Sequence, residues 1–555
     1  MLMRLAGGRI IDPAHGVDDQ VRDLYIRDGR IIDTPDAAAQ SGAQSIDISG
    51  RIVMAGAIDL HTHIGGGKVN LARLLLPEDH RGWRDERTQL TRASCGHAAP
   101  GTLATGYHYA QMGYTACFEP AMLPINARQT HLELGDTPIV DKGCYALLGN
   151  DDFFLRMLAG QQPQARINDY VAWVLDCTQS IAIKVVNPGG ISAFKFNQRR
   201  LDVDERHVYY GVTPRQVLQT LTRAVHELGV PHGLHVHGCN LGVPGNVDTT
   251  LATMDAAEGR PIHLTHIQFH SYGTEGDRKF SSGAARIAEA INARPNVSAD
   301  VGQIMFGQTV TASGDNMIQY RNADLGSPRK AVIMDIECDA GCGVVPFRYR
   351  DQSFVNALQW AIGLEIFLSV HDPWRIFLTT DHPNGAPFTT YPHLIRLLTD
   401  RAFRNETFET INPDARAVSI LGSLQREYSL YEIAIMTRAG PARTLGLADR
   451  GHLGAGAAAD IVVYRDDADR ERMFTTPEYV FKDGELVVRD GRLVKITRGS
   501  VHTVKPDYDR SIEASVADYF DHYQTSSADG FRISRDELCE CGSALIVHEC
   551  RKAAR

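Results

Sequence analysis

TPRQVLQTLTRAVHELG, residues 213–229, leads into HGLHVHG at 232–238, and this pair decides the reading of the fold. The first segment has the pattern of an amphipathic helix. Thr213 is its expected N-cap, Pro214 its first helical residue and Gly229 its stop. The second is a short run that looks like a fully buried strand. Seven more such runs occur: VMAGAIDLHTHI (53–64), YTACFEPA (114–121), GCYALLG (143–149), IAIKVVNP (181–188), PIHLTHIQF (261–269), VSADVGQI (297–304) and RIFLTTDHP (375–383). Buried β-runs alternating with helices imply parallel strands joined by crossovers. Eight of them make a (β/α)₈ barrel the economical solution within an α/β fold class.

Outside the barrel, both ends of the chain have a different texture. GGRIID, DLYIRDGRIID and SIDISGRIVM in the first 50 residues, and ADIVVYRDD and EYVFKDGELVVRDGRLV near the C-terminus, are β-branched runs punctuated by Gly and Asp. Two readings fit: one small composite β-sandwich built from both termini, or two separate β pieces. The first divides the chain into a sandwich of 1–52 and 430–505, a barrel of 53–429, and a polar tail of 506–555 whose fold is not legible.

A chain of 555 residues has room for a barrel and an accessory domain. The formal net charge of −10 argues against a nucleic-acid surface, which wants a clustered basic excess. No window approaches the roughly 20 apolar residues of a membrane helix. The N-terminal stretch meets Asp and Pro too soon for a signal peptide. Ten scattered cysteines do not form a compact disulfide framework, which points to a reducing cytoplasm.

Barrel enzymes carry reactive groups at the C-terminal ends of their strands. His61 and His63 end the first run at i and i+2, a spacing that puts both imidazoles on one face of a strand. Lys184 lies inside the fourth run, His235 and His237 end the fifth, His263 and His266 lie in the sixth, and Asp381 ends the eighth. Imidazole and carboxylate are zinc ligands. Burial shifts a lysine toward the neutral amine, which adds carbon dioxide to give an anionic carbamate able to bridge two metal ions. Equally, Lys184 can snorkel to the surface or pair with a carboxylate.

HTH at 61–63, the lysine of the fourth run, VHG at 236–238, THI at 265–267 and TTDHP at 379–383 resemble the amidohydrolase superfamily of dihydroorotase and hydantoinase type. DGRIID and DRGHLGAGAAADIVVY resemble its composite β-sandwich. Longer stretches are similar to the A subunit of formylmethanofuran dehydrogenase and to the hydrolytic subunit of the formyltransferase/hydrolase complex. These are HTHIGGGKVNLARLLLPED, KVVNPGG, HVHGCNLGVPGN, HLTHIQFHSYG, VGQIMFGQT and TTDHPNGAPFTTYPHLI. The similarity reaches to about residue 505.

The resemblance implies that His61, His63, Lys184 and Asp381 hold one zinc, and that Lys184, as a bridging carbamate, holds a second with His237 and His266. His235 and His263 stay open as alternatives in the fifth and sixth runs. It further implies hydrolysis of an N-formyl amide to formate and the free amine of a furan-type one-carbon carrier, with Asp381 as general base and then acid. Partner subunits of a complex are implied as well, and the Arg-rich composition favours the complex that contains a formyltransferase.

Lys68, after the Gly65–Gly67 stretch, is a candidate for facing an anionic group on the ligand, or sits in a flexible loop. Asn240, His270 and Tyr272 are candidates for lining the pocket. Cys539, Cys541, His548 and Cys550 could hold a further metal, or belong to a contact surface or plain tail. The rival readings are a cyclic amidohydrolase acting on a hydantoin- or dihydroorotate-like ring, and a non-catalytic barrel subunit.

Overall fold

The computed structural model describes residues 2–336, 340–539 and 542–551. Its centre is a parallel sheet of eight strands: β1 (Ala57–Asp59), β2 (Tyr114–Met122), β3 (Asp141–Leu147), β4 (Ala182–Val186), β5 (Leu234–His237), β6 (Ile262–Leu264), β7 (Val297–Asp300) and β8 (Ile376–Phe377). Each pairs in parallel with the next. Just past β8, Thr62 bridges His382 in parallel, and the His63 N–H donates to the His382 carbonyl at 2.7 Å. The sheet therefore closes into a barrel of TIM type, one strand for each of the eight runs. Every residue of β2, β3, β4 and β5 is buried, as parallel strands covered on both faces must be.

The helix over Pro214–Leu228 forms as its sequence predicts. The Thr213 side chain accepts from the Gln216 N–H, Gln216 returns the bond to the Thr213 N–H, and Gly229 closes the helix in the left-handed region. Its Val217, Leu218, Leu221 and Val225 are buried in the main core.

The first run is not one strand. It breaks at Gly56, and Ile52–Ala55 leaves the barrel to pair with Ile461–Tyr464 in a nine-stranded sheet shared by both ends of the chain. A Cβ at Gly56 would stand 2.1 Å from Thr115 Oγ1, so only glycine lets the chain pass here from one sheet to the other. This terminal sheet gathers Leu5, Ile10, Ile26, Val53, Ile461, Val463 and Phe481 into an apolar cluster of its own. Beneath the barrel, Asp141 at the start of β3 accepts from Arg450 at 2.7 Å and lies 3.1 Å from Lys482, tying the terminal sheet to the barrel through buried, paired charges.

Two features lay beyond the sequence reading. Gly307–Ser313, Val332–Ile336 and Ala340–Tyr349 form a three-stranded antiparallel sheet between β7 and β8. The described part of the tail packs on the barrel: helix Ser511–Tyr523 sets Tyr519 against Phe153 with the rings tilted, and Leu545–His548 pairs with Val501–Val504, which itself pairs with β3 at Lys142. No helix among the described residues is long and apolar enough to cross a membrane.

Candidate active site

The mouth of the barrel holds a cavity of about 450 Å³ lined by His63, Lys184, His237, His266 and Asp381, with His61 fully covered behind them. All six expected ligands thus meet at the mouth of the barrel: five at or just past the C-terminal ends of β1, β5, β6 and β8, and Lys184 from the middle of β4. The inserted sheet forms part of the wall through Thr311, Ser313, Phe347 and Tyr349.

Asp381 Oδ1 lies 2.8 Å from His61 Nε2 and 3.2 Å from His63 Nε2. One ligand atom from each of His61, His266 and Asp381 falls within 4.8 Å of the others, and a second group of this kind joins His61, His235 and Asp300. The His237 and His266 rings pack edge to face with centroids 4.7 Å apart. His266 (φ 38°) and Asp381 (φ 49°) both adopt left-handed backbone, a strain that clusters at functional sites. Behind His266, Gly302 is obligatory, since a Cβ there would stand 2.3 Å from the His266 Cβ.

Glu119, which the sequence reading passed over, organises one side. It accepts from His63 Nδ1 at 3.0 Å, Lys68 Nζ at 3.1 Å, and the Ile64, Gly65 and Ala121 N–H groups. Burial alone would raise its carboxyl, but the Lys68 charge and the hydrogen bonds accepted from His63 and the Gly65 N–H outweigh that and hold it well below the usual carboxylate range. An ionised Glu119 only accepts, so a neutral His63 carries its hydrogen on Nδ1 and turns a bare Nε2 toward Asp381.

The donor set fits a metal ion. A bare imidazole nitrogen and a carboxylate oxygen converge, and His266 Nδ1 and both nitrogens of His270 are buried with no hydrogen-bond partner among the described residues. A cation would satisfy this assembly of nitrogen and oxygen lone pairs, and imidazole with carboxylate suits zinc among others. Burial drives His61, His266 and His270 toward the neutral ring that ligation requires. Burial likewise pushes the Lys184 ammonium down to about 8, and among the described residues no carboxylate forms an ion pair with it.

The remaining candidates surround this centre at different depths. Lys68 is buried against Glu119 and the Ala121 carbonyl and does not line the cavity, so it neutralises Glu119 from below. Asn240 donates to Thr249 Oγ1 outside the cavity lining. His270 packs against the His237 and His266 rings. Tyr272 is fully buried and its hydroxyl accepts from Gln359, which does line the cavity. Asp300 and Asp315 complete the surroundings: Asp300 accepts from His263 at 3.0 Å and from the His266 N–H at 3.0 Å, and Asp315 accepts from His237 Nε2 at 3.2 Å. A carboxylate ending a buried run, as in YTACFEPA and VSADVGQI, was the signal available for Glu119 and Asp300, since buried charge needs a partner. At the C-terminus, Cys541 lies outside the described residues and His548 is 2.8 Å from His502.

The amidohydrolase family profile matches residues 44–494. The chain is 42% identical over 538 residues to the Fhc A subunit of the formyltransferase/hydrolase complex of Methylorubrum extorquens, covering 96% of each. It is 38% identical over 553 residues to protein FwdA of Methanocaldococcus jannaschii, again covering 96% of each. Among solved structures, the FhcABCD complex of Methylorubrum extorquens with methylofuran contains a chain that superposes with a TM-score of 0.94 at 42% identity, covering 99% of this chain and 100% of that one.

Proposed function

This chain belongs to the amidohydrolase family, and from that premise we infer that it is the hydrolytic subunit of a formyltransferase/hydrolase complex, releasing formate from an N-formylated furan-type carrier. The observation that carries the reading is the near-complete match, in sequence and in fold, to a subunit solved in a complex with methylofuran. The other subunits of such a complex are its partners, and the reading keeps the cytoplasmic location expected from the sequence. The terminal sheet, closed over its own apolar cluster, is read as the composite β-sandwich of residues 1–52 and 430–505.

We assign His61, His63, Lys184, His237, His266 and Asp381 as the residues that would hold the metal, zinc, with Lys184 serving as its carbamate. The lowered Lys184 pKa supports that carbamate, because only the neutral amine adds carbon dioxide. Bound there, zinc would polarise the formyl oxygen and bring the pKa of a water toward about 7. Asp381 takes the proton released by the attacking water and returns it to the leaving nitrogen, so that the C–N bond breaks to formic acid and a neutral amine, and the acid then releases its proton to solvent to leave formate. Glu119 holds His63 in register, Asp315 does the same for His237, and the buried strand ends limit access of bulk water. His270 and Tyr272, through Gln359, shape the wall beside the substrate.

The purified complex should release formate from a formylated furfurylamine-type substrate and leave dihydroorotate and hydantoin intact. Ring opening at a comparable rate, with no formate from the linear formamide, would instead favour the cyclic amidohydrolase.

A further inference from the structure

His232 and His235 take no part in the reaction above, yet with His61 they form a continuous line through the barrel. His232 Nδ1 lies 3.2 Å from the Thr444 carbonyl oxygen, His232 Nε2 lies 2.9 Å from His235 Nδ1, and His235 Nε2 lies 2.8 Å from His61 Nδ1. At the far end, His61 Nε2 reaches Asp381 Oδ1 at 2.8 Å. All three rings are fully buried. Rings buried this completely, side by side and out of reach of the solvent that would stabilise a charge, are held as uncharged imidazoles.

A neutral imidazole has one N–H and one lone pair. The Thr444 carbonyl can only accept, so the His232 hydrogen sits on Nδ1. His232 Nε2 then accepts, which requires the His235 hydrogen on Nδ1. His235 Nε2 accepts in turn, which requires the His61 hydrogen on Nδ1. The Thr265 hydroxyl also touches His61 Nδ1, and it accommodates either arrangement because it donates as well as accepts. Asp300 Oδ2, 3.7 Å from the same nitrogen, favours a hydrogen there. Asp381 Oδ1, 2.8 Å from Nε2, pulls the other way while no cation joins the two, and with a cation between them it accepts the bare Nε2. With every tautomer reversed, a lone pair would face the Thr444 carbonyl at one end and an N–H would occupy the metal side of His61 at the other.

We propose that His232 and His235 are positioning residues: their hydrogen-bonded line, anchored on the Thr444 carbonyl, holds His61 in the tautomer whose Nε2 lone pair faces the metal position. The proposal rests on the metal-site reading above. His263, which donates to Asp300, stacks on His235 with centroids 4.7 Å apart and supports that ring from one side.

Two readouts test it. In metal-free Asp381→Ala protein, where no carboxylate faces Nε2, with ¹⁵N-labelled histidine and the His61 signals identified by their loss on adding His61→Gln, the spectrum should show Nδ1 protonated and Nε2 bare. Nε2 protonated overturns the proposal whether or not the protein binds zinc, and this separates its failure from failure of the metal site. Zinc affinity, measured in the complex by chelator competition, supplies the second readout. His235→Leu removes the acceptor and should weaken zinc by about 10–100-fold, the usual cost of losing such a supporting contact. His235→Gln offers an amide oxygen where Nε2 stood and should restore affinity to within a few-fold of wild type. Equal loss in both variants would make His235 a packing residue, and no loss in either would make it irrelevant; each outcome overturns the proposal. If His235→Leu fails to fold, His232→Leu leaves the direct partner of His61 in place but removes the anchor. It should then give His61 a mixture of both tautomers in the ¹⁵N spectrum, and an unchanged single tautomer overturns the proposal.

Discussion

Asp381→Asn should lower formate release by roughly 10²–10⁴-fold with zinc in excess, the usual contribution of a positioned acid–base group. Asparagine keeps the volume of the side chain and one oxygen that can face His61 and His63, so folding and complex assembly should survive. What it loses is the ability to take a proton from water and pass it to the leaving nitrogen. If Asp381 served only to hold metal, saturating zinc would restore most of the rate. Steady-state formate release from the zinc-saturated variant separates the two, and a rate within about tenfold of wild type would exclude the proton-shuttle role.

Glu119→Ala should cost about 3–5 kcal/mol of stability, because it leaves the buried Lys68 ammonium without its carboxylate. The same change frees His63 Nδ1, so zinc affinity should fall along with the melting temperature. Glu119→Gln keeps the acceptor oxygen for His63 but not the charge for Lys68, so it should recover zinc affinity more fully than stability. Thermal melts of the metal-free variants alongside chelator competition would check both effects. Unaltered melting of Glu119→Ala would show that Lys68 finds another partner and that Glu119 is not the organising carboxylate.

The eight barrel strands were legible because a parallel strand covered on both faces reads as a continuous apolar run, and each run supplied one strand. The break at Gly56 was not, since VMAGAIDLHTHI is apolar on both sides of the glycine; only contact with Thr115, distant in sequence, turns the chain from one sheet into the other. The inserted antiparallel sheet was equally hidden: a strand such as GQTVTAS mixes buried and half-exposed residues rather than reading as a continuous apolar run, and it lacks the helical partners that marked the barrel. At the site, the ligand candidates were legible as polar residues at strand ends. The roles of Glu119, Asp300 and the His232–His235 pair were not, because their partners lie far away in the chain. Lys68 illustrates the reverse: a lysine after a glycine run suggested ligand contact, and its partner proved to be a buried carboxylate on the next strand.

The central claim is hydrolysis at a metal site assembled on a modified Lys184. It is tested most directly by stripping the metal with chelator, removing carbon dioxide, and following formate release as zinc and carbon dioxide are returned. Activity should return only with both together. At matched dissolved carbon dioxide it should return faster near about pH 9 than near about pH 7, because burial sets the Lys184 pKa at about 8 and the reactive neutral amine gains as pH rises through that value. Formate release from zinc-free protein, or full recovery with zinc in the strict absence of carbon dioxide, would contradict the account.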